Sequence, residues 1–204
     1  MVFTRNLVVL LAAAAAPLLA QSPPNPAGAA KPPVVNKMLG LFERLRMCQA
    51  VQAKGGRQYL SFQLAESEIN EYMRFALRST PRPGLESVSV KIFPYNYVST
   101  FSVVDFDAVE RWRPGTIPGL LRPVLSGKRT IWVDGRFQAK AGQVMFSIEK
   151  AYFEKIRLPA ILVEKVIQIV AARQPEKYDT RKPIPLPFGL RQVWTEARLV
   201  RGEN

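Results

Sequence analysis

The alternation of apolar and polar side chains over residues 128–158 restricts the fold more than any other part of the sequence, because it is typical of long β-strands. Two turn signals compete within this segment. Asp134-Gly135 is the stronger local hairpin signal, but a turn there would leave very short strands. A turn at Ala141-Gly142 leaves two long strands and makes Gly135 a bulge. We therefore predict one long hairpin, in which the facing residues are Ile131, Val133 and Phe137 on one strand and Val144, Phe146 and Ile148 on the other.

Shorter alternating segments predict further antiparallel strands. Residues 60–64 indicate a strand with one solvent-exposed face. Residues 88–105 indicate a second hairpin, with Tyr95-Asn96 as its turn. One final strand is predicted near residues 191–201, after the proline-rich segment at 183–189.

Three segments instead have the apolar spacing of helices. Residues 35–51 predict an amphipathic helix that ends at Gly55-Gly56, and we expect it to pack on the domain rather than lie on a membrane. Residues 66–78 predict a second helix, which the segment 80–84 stops. Pro159 opens a third, mostly apolar helix. A strand meander with helices covering one face predicts an α+β fold.

The N-terminus predicts export. Arg5 precedes an apolar run that ends at Ala20, which is typical of a signal peptide over residues 1–20, either cleaved or retained as an anchor. The run is shorter than the roughly 20 apolar residues that a spanning helix needs. Residues 21–33 predict a mobile Pro/Ala-rich linker, and residues 34–204 predict one folded domain. We expect a periplasmic or extracellular location in the cell envelope.

Composition limits the chemistry that we expect. The formal net charge of +13 in an exported protein favours an anionic membrane surface or polymer as partner over nucleic acid. The chain has no histidine, the commonest general base and zinc ligand, so we expect neither an enzyme nor a metal or cofactor site. Cys48 is the single cysteine and is predicted to fill a buried helix position.

A carboxylate cluster is the strongest catalytic alternative. Asp105 and Asp107 are separated by one residue and Glu110 follows, so on a strand the two aspartates would project to the same side. Such a pair suits a hard cation or acid–base work, as in a hydrolase. We favour a structural role, in which Asp107 caps a short helix.

The order of these motifs resembles a known family over residues 57–201. The segment LSFQLAESEINEYM leads from a strand into a helix, Pro83-Gly84 precedes alternating strands, and PLPFGL precedes the last strand. This resembles bacterial envelope proteins of the tubular lipid-binding (TULIP) type, similar to the bactericidal/permeability-increasing fold. The resemblance implies a long curved antiparallel sheet, wrapped around or packed on two to three helices, that encloses a channel for acyl chains. It also implies lipid binding or transfer without catalysis.

The predicted apolar faces supply candidates for the lining of such a channel. They are Leu60, Phe62, Ile69, Met73, Val88, Val90, Ile131, Val133, Phe146, Ile148, Leu162 and Val166. The candidate basic rim consists of Arg111, Arg113, Arg122, Lys128 and Arg129, and a second basic group consists of Lys150, Lys155 and Arg157. The sequence thus favours an exported lipid- or amphiphile-binding protein. The alternative is an envelope scaffold or assembly factor that binds a protein or an anionic glycan.

Overall fold

The computed structural model describes residues 32–112, 114–115, 117, 119, 122–123, 125–159 and 182–204. The predicted signal peptide, most of the predicted linker and the predicted helix after Pro159 lie outside the described residues. The helices are α1 (Pro33–Ala53), α2 (Glu66–Ser79) and α3 (Phe106–Trp112). The strands are β1 (Ser61–Ala65), β2 (Leu85–Phe93), β3 (Tyr97–Asp105), β4 (Lys128–Lys140), β5 (Gln143–Phe153), β6 (Ile156–Arg157), β7 (Ile184–Pro185), β8 (Gln192–Glu196) and β9 (Leu199–Glu203).

Two antiparallel sheets organise the described part of the chain. The larger sheet has the order β2-β3-β4-β5-β6, with β7 paired to β5, and the smaller has the order β1-β9-β8. All of these pairings are antiparallel. The predicted α+β class with a long antiparallel sheet is therefore confirmed. None of the helices in the described ranges is long and apolar enough to cross a bilayer.

The turn of the long hairpin lies at the position that the alternation predicts. Strands β4 and β5 are joined by Ala141-Gly142, whose positive φ angles of 53° and 76° suit a tight hairpin. The register shifts at Asp134/Gly135, which is the predicted bulge. A Cβ atom at Gly135 would lie 2.4 Å from Cζ of Phe146, so the ring of Phe146 occupies the space that a side chain would need. Phe137 faces Phe146, as predicted, whereas Ile131 faces Phe153 and Val133 faces Ala151.

The predicted final strand is wrong in one respect, because residues 192–203 form a hairpin of two strands. Ala197 and Arg198 make its turn, and Arg198 adopts a φ of 61° without being a glycine. Its backbone is held by two elements, since Arg198 N donates to Ile92 O at 3.0 Å and Glu66 N donates to Arg198 O at 2.9 Å. These long-range bonds stabilise a turn that the local sequence does not indicate.

Helix α1 buries the predicted apolar stripe, and Cys48 is buried within it. The helix begins at Pro33, one residue before the predicted domain start. It packs on α2 and on the 3-10 turn Pro187–Gly189. The Phe42 ring is the junction, since its centroid lies 5.6 Å from that of Tyr72 and 6.1 Å from that of Phe188. These contacts close the apolar core over one end of the large sheet.

Helix α2 also covers the edge of the large sheet with hydrogen bonds. The Asn70 amide donates to Val90 O and accepts from Val90 N, both at 2.8 Å. Glu66 Oε2 accepts from Ile92 N at 2.7 Å. Both side chains therefore act like an additional strand on β2. Glu68 supports the start of the helix, since its Oε2 accepts from Ala65 N at 2.9 Å.

Candidate ligand-binding surfaces

The two faces of the large sheet differ in chemistry. Cross-strand partners share a face, so the register assigns each residue to one side. The inner face, on which the helices pack, is mainly apolar and includes Val88, Val90, Ile92, Val98, Ile131, Val133, Phe137, Phe146, Ile148 and Phe153. The outer face carries Ser89, Lys91, Phe93, Tyr97, Ser99, Phe101, Trp132, Asp134, Arg136 and Tyr152. Each face offers one candidate surface.

The inner face is completely covered at one end only. Ile131 and Val133 on β4 and Ile148 and Phe153 on β5 are half-buried, in contrast to the fully buried Val88 and Val90 on β2, the edge strand on the opposite side of the sheet. We call these four half-buried residues the inner patch. The short helix α3 borders the patch, because the Phe106 ring lies 5.9 Å from that of Phe153. The patch therefore leaves apolar surface of the sheet partly open.

A depression adjoins this patch at the free edge of β5. It has a volume of about 360 Å³ and is lined by Ile148, Glu149, Lys150, Ala151, Arg157, Leu158 and Pro159. Strand β5 pairs with β7 at one end and with β6 at the other, and in the described part of the chain no strand pairs with the segment between them. Ile148 belongs to both the patch and the depression. Lys150 and Arg157 are cross-strand partners of Asp134 and Tyr152, so they belong to the outer face, and the depression connects them to the inner patch around the edge of the sheet.

The structure divides the predicted channel residues into two groups. Ile69, Met73, Val88 and Val90 are buried in the core cluster, and Leu60, Phe62 and Phe146 pack against it. Ile131, Val133 and Ile148 belong to the inner patch. Leu162 and Val166 lie outside the described residues. Leu60, Phe62 and Phe146 are also half-buried, so what distinguishes the inner patch is that its residues are half-buried without belonging to the core cluster or its packed neighbours.

The predicted basic rim is largely occupied by carboxylates. Arg122 Nη2 lies 2.7 Å from Glu110 Oε1, and Lys128 Nζ lies 2.6 Å from Glu86 Oε1. Arg111 is a looser neighbour of an aspartate, with 4.0 Å between its Nη2 and Asp105 Oδ2. Arg113 lies outside the described residues. These exposed ion pairs are weak, so the three cations stay near the surface but do not converge on the patch.

Arg129 differs from the other rim candidates, because it lies on the inner face. Its cross-strand partner is Val104, and it is two residues from Ile131 on the same strand. Its Nε is buried and has no hydrogen-bond partner in the described structure. Arg129 therefore places a guanidinium group at one end of the inner patch.

The carboxylate cluster is held by backbone hydrogen bonds. The predicted cap is wrong by two residues, since Asp105 rather than Asp107 accepts from Ala108 N, at 2.9 Å, at the start of α3. Strand β3 ends at Asp105 and α3 begins at once, so the two aspartates do not share a strand face. Glu110 accepts from Gly115 N and Ile117 N at 2.8 and 3.0 Å. These bonds, together with Arg122, hold the pKa of the Glu110 carboxyl below its usual value.

No metal cluster is found in the described part of the chain. Its residues include no group of three or more His, Cys, Asp or Glu side chains that could hold a metal ion. Asp105 and Glu110 bind backbone N–H groups instead, and each stabilises one local segment. Their geometry shows a structural use for the carboxylates that the sequence singled out.

The outer face also carries a row of aromatic side chains that was not predicted from the sequence. Phe101, Trp132 and Tyr152 are cross-strand neighbours on β3, β4 and β5. Phe101 is 43% exposed and Trp132 47% exposed, and the Trp132 and Tyr152 ring centroids are 5.9 Å apart. We call these three residues the aromatic row. Strand parity was the available signal, because Trp132 is out of phase with Ile131 and Val133.

No protein-family model matches the chain, and a search of curated proteins gives no match.

Proposed function

We propose that this protein is an exported, non-enzymatic protein that binds or transfers a lipid or a similar anionic amphiphile. The observation that supports the proposal is the depression at the β5 edge, which joins half-buried apolar side chains of the inner patch to the outer-face cations Lys150 and Arg157. Export is part of the proposal because residues 1–20 have the pattern of a signal peptide.

The chemistry of this junction suits an amphiphile. Each methylene that leaves water for an apolar surface contributes about 0.8 kcal/mol, so an acyl chain lying on the inner patch gains affinity with its length. Each suitably placed Lys or Arg contributes about 1 kcal/mol toward an anionic lipid surface. The side chains of Lys150 and Arg157 have no carboxylate partner in the described structure, so both are free to meet an anionic headgroup.

We infer further that the chain packs in the tubular lipid-binding manner. The support is the combination of a long antiparallel sheet, helices on its apolar face, and a patch of that face that remains partly open. In this arrangement the acyl chain lies along the inner face, between the sheet and the elements that cover it. Away from Lys150 and Arg157 at the β5 edge, the outer face then plays no part in lipid binding.

A pair of isosteric substitutions tests the acyl-chain contact. Val133→Thr places a hydroxyl group in the inner patch with almost no change of shape, and Val103→Thr does the same to a half-buried valine on the outer face. Because a desolvated hydroxyl costs on the order of 1 kcal/mol, Val133→Thr should weaken binding of a fluorescent stearate about fivefold. Val103→Thr should leave the Kd unchanged. Equal effects of the two substitutions would contradict the assignment of the inner patch.

A second pair of variants tests the headgroup contact. The double substitution of Lys150 and Arg157 by glutamine should weaken stearate binding and leave binding of uncharged methyl stearate unchanged. Lys140→Gln, an exposed lysine elsewhere on β4, is the matched control. If the double variant weakened both ligands equally, the two cations would support the fold of the edge rather than bind a headgroup.

The alternative function is an envelope scaffold that binds a protein or an anionic glycan. A different observation favours it, namely the exposed aromatic row on the outer face. A partner retained in a pull-down, together with no lipid in the purified protein, would support the scaffold over the lipid-binding protein.

A further inference from the structure

The outer face of the large sheet has an exposed aromatic surface that the lipid proposal does not use. The aromatic row crosses three neighbouring strands, and Phe93 and Tyr97 form a second aromatic pair on the same face, with ring centroids 5.4 Å apart. Adjacent strands are about 4.8 Å apart, so the row forms a continuous strip of rings. Exposed apolar strips of this kind mark binding surfaces more often than chance exposure of single residues.

Hydrogen bonds fix the Trp132 ring on this surface. Its Nε1 donates to Ser99 Oγ at 2.5 Å and to Asp134 Oδ1 at 2.6 Å. Asp134 is only 7% exposed, so the indole N–H points toward the sheet while nearly half of the side chain meets solvent. A tryptophan inserted in a membrane interface instead directs its polar end toward the wet headgroup region. The orientation of Trp132 therefore favours a flat ligand that stacks on the ring.

A depression beside the row supplies polar partners for such a ligand. It has a volume of about 190 Å³ and is lined by Ser89, Lys91, Ser99, Phe101 and Trp132. Lys91 is exposed and has no carboxylate partner within the described ranges. The depression thus combines two aromatic rings, the exposed hydroxyl group of Ser89 and one unpaired cation, whereas Ser99 is 7% exposed and holds the Trp132 indole.

The charges around the depression favour a sugar acid over a nucleic acid. Binding of a nucleic-acid strand needs a groove of several cations that follows the phosphates. Lys91 is the single cation among the residues that line the depression. Arg136 and Lys128 are paired with Glu149 and Glu86, both at 2.6 Å, and Lys150 and Arg157 lie farther along the same face, at the β5 edge. One cation beside aromatic rings and a hydroxyl group suits a pyranose ring that carries a single carboxylate.

We propose that the outer face binds an acidic polysaccharide. A uronic-acid unit stacks its apolar ring face on Phe101 and Trp132, a hydroxyl group of the sugar meets Ser89, and its carboxylate pairs with Lys91. This site is independent of the inner patch, so a carrier that holds a lipid on one face of the sheet binds an anionic glycan on the other.

The test is a binding titration of the full chain with oligogalacturonate, followed by calorimetry. Phe101→Ala removes a stacked ring and should weaken binding about tenfold. Lys91→Gln should weaken it to a similar degree and reduce its salt dependence, since it removes the cation. The controls are Trp112→Ala, an aromatic residue that is 65% exposed on α3, and Lys140→Gln. Neither should change the Kd.

Three comparison ligands make the proposal refutable. Fully methyl-esterified oligogalacturonate keeps the ring and loses the charge, so it should bind at least tenfold more weakly to the unsubstituted protein. Equal binding would overturn the role of Lys91. Tighter binding of poly(U), or of phosphatidylglycerol vesicles in a manner that Phe101→Ala abolishes, would overturn the glycan in favour of RNA or a membrane. No binding of oligogalacturonate would also overturn it, whereas stearate binding at the inner patch would be unaffected by any of these results.

Discussion

The hydrogen bonds between Asn70 and the edge of β2 predict how much stability the protein loses in the variant Asn70→Ala. Asn70→Ala removes a donor and an acceptor, each 2.8 Å from a backbone atom of Val90. Val90 is 2% exposed, so water cannot easily replace the amide. Leaving one buried polar group unpaired costs about 1–3 kcal/mol, so losing two partners should cost about 2–6 kcal/mol. The better helix propensity of alanine offsets about 0.5 kcal/mol of this loss.

Urea denaturation followed by circular dichroism measures this loss. Ser67→Ala is the matched control, because Ser67 is exposed on the same helix and its propensity change is similar. We expect a decrease in the free energy of unfolding of at least about 1.5 kcal/mol for Asn70→Ala and less than about 0.5 kcal/mol for the control. If both variants changed stability equally, Asn70 would not stabilise the edge of β2, and this account of the edge would be refuted.

The stability of the variant Asn70→Asp, measured as a function of pH, tests the same pair of hydrogen bonds. An ionised carboxylate accepts from Val90 N but cannot donate to Val90 O, whereas a protonated carboxyl group can do both. The stability deficit of this variant, relative to the unsubstituted protein, should therefore shrink as the pH falls below about 4. A deficit that does not change between pH 7 and pH 3 would contradict the geometry.

Three further predictions concern the core, the bulge and the helix contact. Tyr72→Phe should leave stability unchanged or raise it, because the buried hydroxyl has no hydrogen-bond partner in the described structure and its burial raises the pKa of Tyr72 to about 12. Thermal unfolding measures the stability of this variant, and a clear loss of stability would show that the Tyr72 hydroxyl has a hydrogen-bond partner. Gly135→Ala should cost about 1–3 kcal/mol because the new methyl group meets the Phe146 ring, and an unchanged urea midpoint would refute that contact. Burial alone would raise the pKa of Glu68, but the hydrogen bonds of Glu68 to Lys37 and to the Ala65 N–H lower this pKa overall. Glu68 therefore stabilises the folded protein above about pH 4.5, and this stabilisation is lost as the pH falls through the lowered pKa. Glu68→Gln should reduce this acid sensitivity, and an unchanged slope of stability against pH would contradict the pairing.

Local patterns predicted the strands and helices correctly where the turns between them contain residues that favour turns, such as glycine and asparagine. Ala141-Gly142 and Tyr95-Asn96 adopt the positive φ angles of tight hairpins, and both turns were predicted. The turn at Arg198 was missed because no glycine, asparagine or proline marks it. Its conformation is stabilised by backbone bonds to Ile92 and Glu66, which are distant in the sequence.

The candidate site was only partly predictable, because periodicity identifies an apolar face but not what covers it. Val90 and Val133 have the same place in their strands and both face inward, yet α2 covers Val90 and leaves Val133 half-buried. The outer row was missed for a related reason. Both faces of β3 carry apolar residues, so alternation alone did not show that Phe101 faces solvent.

Native mass spectrometry of the protein, purified from envelope extracts without detergent, shows whether it carries a lipid. We expect adducts of lipid mass that disappear on denaturation and that Val133→Thr reduces more than Val103→Thr. A mass free of adducts, unchanged after incubation with anionic liposomes, would contradict lipid binding and leave the scaffold as the function to pursue.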